Sequence, residues 1–131
     1  MAYIKYKELT KYFNFSEELN LEELPEYVTD FISTGERVLV GYATNKDKFI
    51  MTNKKIILFE VSGFESMKKI HFLPFNNVSS SAIEFKPNRA AILLSMDSGY
   101  QLRLNFVDMT AQDKTKFRQV YMYLINHITQ K

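Results

Sequence analysis

Two histidines, His71 and His127, are the residues best suited to acid–base or metal chemistry, because imidazole titrates near neutral pH and ligates metals readily. Either role needs further His, Asp or Glu side chains converging on one point, and no HExxH or HxH spacing is present. His127 falls near the end of the last helical stretch, where positive charge is favoured by the helix dipole. His71 is assigned to an outward position of a strand. The acids Glu17, Glu18, Glu22 and Glu23 come as adjacent pairs, which a helix splays apart, so they read as a solvated face and not as a general acid/base dyad. No nucleophile elbow, phosphate-cradling glycine loop or dinucleotide fingerprint occurs. Cysteine is absent, which excludes disulfides, thiolate chemistry and Cys-based zinc sites. The expectation is a protein that is not an enzyme and needs no cofactor or metal.

The lysines are more informative. Lys46 and Lys48 flank the first expected hairpin, Lys54 and Lys55 occupy the second, and Lys68 and Lys69 begin the fourth strand. Lys46, Lys48, Lys54 and Lys55 are therefore the candidate partner-binding residues, on loops expected to approach each other. Four such cations give at most weak, salt-sensitive attraction to an anionic membrane surface. The plainer alternative is that they keep strand edges and turns soluble. Only four arginines are present (Arg37, Arg89, Arg103, Arg118), and the basic residues do not interleave with aromatics as in a nucleic-acid module.

The elements that must carry these residues can be read from periodicity. Residues 1–33 form an acidic stretch, three lysines against seven acids, whereas residues 34–131 hold fourteen basic and eight acidic residues. Pro25 suits the first turn of a helix presenting Tyr27, Val28, Phe31 and Ile32, ended by Thr34-Gly35, so a helical N-terminal arm is expected over residues 1–33. From Arg37 the rhythm becomes that of strands. Val38, Val40 and Tyr42 alternate, then Phe49 and Met51. Ile56, Ile57, Leu58 and Phe59 are apolar on both sides, which predicts a strand covered on both faces. Met67–Leu73 is closed by Pro74, Ile83 and Phe85 follow, then Ile92, Leu94 and Met96. Asp97-Ser98-Gly99 makes a tight turn into Tyr100–Phe106. Thr110 and Asp113 form a capping box ahead of Phe117, Val120, Tyr121, Leu124, Ile125 and Ile128, one continuous helical stripe.

At 131 residues and 46% hydrophobic composition, the chain fits one ordinary domain with a real core. Neither a signal-peptide core nor an apolar run long enough to span a bilayer is present, so a cytoplasmic location is expected. Three short segments carry a family resemblance. Glu36-Arg37-Val38-Leu39 looks like the opening strand motif of bacterial pleckstrin-homology-like (PH-like) domains. Phe49 to Leu58, with its Thr52-Asn53-Lys54-Lys55 turn, resembles their second hairpin, Lys55 standing where Arg is usual. Phe72-Leu73-Pro74-Phe75-Asn76-Asn77-Val78 is similar to the segment opening their fifth strand. The resemblance covers residues 34–130. It implies a mainly β fold, a PH-like barrel of seven antiparallel strands capped by a C-terminal amphipathic helix. It also implies a non-enzymatic module that binds a protein partner or itself as a homo-oligomer. Phosphoinositide recognition in such folds uses arginines on a long first loop, and the loop here is short, has no arginine and contains Asp47.

Overall fold

The computed structural model describes residues 10–44, 47–62 and 67–130. The chain divides into two compact units, Phe15–Pro74 and Met1–Asn14 with Phe75–Lys131.

In the first unit, β2 (Glu17–Glu18), β3 (Val38–Ala43), β4 (Lys48–Thr52), β5 (Lys55–Ser62) and β6 (Met67–Pro74) form an antiparallel sheet in sequence order. Ile56, Ile57, Leu58 and Phe59 of β5 are fully buried, as the two-sided apolar run predicts. One cover is the single-turn helix α1 (Glu26–Thr29), whose Val28 packs on Ile50, Ile57 and Phe59 with Tyr27 and Ile32 beside it. Gly41 lets this layer close down. A Cβ there would stand 3.1 Å from both the Leu19 and Ile50 Cδ1 atoms. A bulge between Val38 and Val40 breaks the expected alternation of β3. Val38 joins the α1-covered cluster, while Val40 pairs with Met51 in the next register.

In the second unit, β1 (Thr10–Phe15), β9 (Gln101–Phe106), β8 (Arg89–Met96) and β7 (Val78–Lys86) make a four-stranded sheet in that order. Leu102, Leu104 and Phe106 are buried opposite Leu94, Ile92 and Ala90, so the period-two pattern holds. Helix α2 (Ala111–Gln130) packs on this face. The Phe117 ring lies 4.6 Å from that of Phe106, Leu124 is fully buried, and the Tyr121 hydroxyl is 2.8 Å from Ser81 Oγ. Both halves of the capping box form: Asp113 N–H donates to Thr110 Oγ1 at 3.1 Å, and Thr110 N–H donates to Asp113 Oδ2 at 2.9 Å.

Three expectations need correction. The N-terminal stretch is not a helical arm over its described part: residues 10–18 form β1 and β2, and only Glu26–Thr29 is α-helical. Phe13 and Phe15 are both buried, a period-two pattern that the mixed Tyr-Lys-Leu composition ahead of them obscures. Seven strands therefore become nine among the described residues, and their ladders form two sheets, of four and five strands. Finally, His71 does not face outward. It shares the face of Leu58 and Leu73, and the exposed neighbour is Phe72, whose ring centroid lies 5.5 Å from that of Phe31 in a tilted pair.

Candidate functional site

Lys46 lies outside the described residues. Lys48 begins β4, pairing with Phe59, while Lys54 and Lys55 follow the other end of the same strand, where Met51 pairs with Ile56. A five-residue strand spans roughly 17 Å, so Lys48 and the Lys54-Lys55 turn are held apart and do not converge. The Lys48 ammonium sits 5.3 Å from the centroid of the Tyr27 ring. Lys54 is exposed at the turn.

Lys55 is committed internally. Its ammonium donates to both oxygens of Glu36 at 2.8 and 2.9 Å. The Glu36 side chain is wholly buried, and it also accepts from Thr52 Oγ1 and from the Ser33 N–H. Burial alone pushes this carboxyl up. The hydrogen bonds from Lys55, Thr52 and Ser33, joined by the Lys55 charge, outweigh it and hold the pKa at about 2. Alongside, Arg37 N–H donates to Asn53 Oδ1 at 2.8 Å and Asn53 N–H donates to the Arg37 carbonyl at 2.9 Å. The Glu36-Arg37 motif and the Thr52–Lys55 turn thus form one latch that fixes the chain after α1 to the β4–β5 hairpin.

His71 Nε2 lies 2.9 Å from Glu60 Oε1, and His127 Nδ1 lies 3.1 Å from the Tyr123 carbonyl with its ring on Phe75. Among the described residues no three His, Asp or Glu side chains gather closely enough to hold a metal, and no helix is long and apolar enough to cross a membrane.

The concave site of the second unit lies on the sheet face opposite α2. Along one row Glu84, Ala91 and Asn105 stand side by side on β7, β8 and β9. The small Ala91 between long neighbours leaves a hollow of about 180 Å³. The Arg103 guanidinium closes one side, donating to Glu84 Oε2 at 3.2 Å and Oε1 at 3.3 Å, and through Nε to Asn105 Oδ1 at 3.1 Å. Asn105 in turn donates to the Phe13 carbonyl at 3.3 Å. Hydrogen bonds from Arg103, then its charge, pull the Glu84 carboxyl below the usual range. Lys86 and Arg89, paired across the β7–β8 turn, close the other side. Arg103 and Asn105 lie on the outward side of β9, away from the buried Leu102, Leu104 and Phe106, and neither is among the candidate residues expected from sequence. The sequence signal for the hollow is the small Ala91, which the strand register sets between two polar outward positions, Glu84 and Asn105.

The sequence from residue 9 to residue 128 matches the bacterial PH domain family. The chain belongs to that family. The match begins well before residue 34 and takes in β1, β2 and α1. The uncharacterized protein YozO of Bacillus subtilis (strain 168) is 30% identical over 98 residues, covering 72% of this chain and 80% of that protein. A DUF1696 family protein with a pleckstrin-homology domain from Shewanella loihica PV-4 superposes with a TM-score of 0.67 at 20% identity, over 85% of this chain and 95% of its own. A PH-domain-containing protein from Exiguobacterium sibiricum 255-15 gives 0.63 at 10% identity, over 88% and 62% respectively. These neighbours show a PH-like fold, mainly β with a C-terminal helix. The fold alone names no ligand.

Proposed function

We propose that this bacterial PH domain is a non-enzymatic cytoplasmic association module, joining copies of itself by strand addition at the outer edge of β7. The observation that carries this reading is the contrast between terminal strands. In the five-stranded sheet, β2 is two acidic residues long, and β6 carries Lys68, Lys69 and Pro74, which are common devices against edge pairing. In the other sheet β7 runs for nine residues, Val78 to Lys86, with charge only at Glu84 and Lys86. Ser79, Ser80 and Ala82 are exposed, and a bulge at the start leaves Ser80–Lys86 as a regular ladder. Such an edge offers backbone donors and acceptors to an added strand.

Protein association is favoured over anionic-lipid binding because Lys48 and Lys54 occupy opposite ends of β4 and Lys55 is neutralised by Glu36. Light scattering coupled to gel filtration tests the reading. The wild type is expected to run as an oligomer, and a Ser80→Lys/Ala82→Lys variant, which places charge on the edge without touching the core, as a monomer. A wild type that stays monomeric at high micromolar concentration overturns self-association. Sedimentation of the chain with anionic liposomes at physiological salt, abolished in a quadruple Lys→Glu variant at positions 46, 48, 54 and 55, would replace it with the lipid reading.

A further inference from the structure

The hollow over Ala91 has features that neither fold nor edge pairing uses. Three cationic side chains, Lys86, Arg89 and Arg103, border it against one carboxylate, Glu84, leaving a local excess of two positive charges. Arg103 is held by side-chain hydrogen bonds to Glu84 and Asn105. A guanidinium carries five N–H donors, and three of those on Arg103 are engaged by Glu84 and Asn105, so two remain. Because Glu84 and Asn105 fix the plane of the group, those two donors are held in place before any ligand arrives, which lowers the ordering cost of binding. Asn105 is itself anchored to β1 through the Phe13 carbonyl. At about 180 Å³ the hollow is smaller than pockets for drug-sized molecules, which run to roughly 300–1,000 Å³.

We infer that this face is a binding site for a small oxyanion, a phosphate or carboxylate group, gripped by Arg103, Arg89 and Lys86 over the Ala91 floor. The anion sits on the Arg89 and Lys86 side, away from the Glu84 carboxylate, and takes one of the remaining Arg103 donors. Glu84 has a double effect: it orients Arg103 and it opposes the incoming charge. The site lies on the face of the sheet and not on its edge, so it stands or falls independently of strand addition at β7.

The test is a titration of the full chain with inorganic phosphate, followed by ¹H–¹⁵N correlation spectra at constant ionic strength. Expected are saturating shifts at the Ala90, Ala91 and Asn105 amides and at the Arg103 Nε–H. A Lys86→Ala/Arg89→Ala variant should weaken the midpoint about tenfold, and Glu84→Gln should tighten it several-fold, because one repulsive charge is lost. All three positions are solvent-accessible, so the variants keep their fold, which the same spectra verify. Acetate shifting the same signals assigns the site to oxyanions at large, and phosphate alone doing so narrows it to phosphate. Shifts that rise linearly and spread over surface lysines, or midpoints indifferent to both variants, overturn the inference.

Discussion

Glu36 is the residue whose environment departs furthest from what its type suggests. A carboxylate buried without partners would protonate, yet this one stays ionised because Lys55, Thr52 and the Ser33 amide surround it. Its pKa falls from 4.5 to about 2, which at 1.36 kcal/mol per unit is worth roughly 3 kcal/mol of stability. The folded value lies below the unfolded one, so this contribution is complete above pH about 4.5 and fades as pH drops toward 2. Glu36→Gln is therefore expected to cost about 3 kcal/mol at neutral pH in urea unfolding, and to flatten the acid limb of the stability profile between those values. A variant that unfolds in acid along the wild-type curve would show that the latch carries no such energy. The sequence disclosed that Glu36, Thr52 and Lys55 belong to family motifs, but not that they meet. Nineteen residues separate Glu36 from Lys55, and only the hairpin register brings them together, which is why Lys55 resembled a free binding residue.

Elements were legible where their period was long. Helix α2 announces itself through a capping box and six stripe residues, and β9 through strict alternation, because each buries one face against a single neighbour. Helix α1 is the opposite case. Four residues cannot hold a helix by backbone hydrogen bonds alone, since nucleation is unfavourable and propagation has barely begun. Its order must come from Val28, fully buried on Ile50, Ile57 and Phe59. Val28→Ala should cost about 1–3 kcal/mol and speed hydrogen exchange of the amides of residues 28–32 far more than those of β5. Equal acceleration of both segments would indicate that α1 and the sheet open together and not as a separable cover. The strands β1 and β2 are hard to read from sequence for a related reason: a two-residue strand has no period, and among the described side chains of β1 the buried pattern consists of Phe13 and Phe15.

For the whole molecule, the proposed self-association has two physical routes open to it, charge and backbone pairing. The exposed acids Glu17, Glu18, Glu22, Glu23, Glu26 and Asp30 precede a body with a net charge of +6 over residues 34–131, so an electrostatic route between copies is physically available. The β7 edge offers a route that depends on hydrogen bonds and apolar contact instead. Salt separates them. The Debye length shrinks from about 10 Å at 0.1 M ionic strength to about 3 Å at 1 M, so pairing between exposed charges fades over that range. Strand addition loses little, because its donors and acceptors meet at contact distance and salt strengthens apolar burial if it acts at all. The expected outcome is a molar mass by light scattering that holds from low to high salt in the wild type, and that falls to the monomer in Ser80→Lys/Ala82→Lys at every salt concentration. A mass that declines smoothly with salt, with the edge variant tracking the wild type, would assign assembly to the acidic stretch and leave β7 as an edge that the molecule simply tolerates.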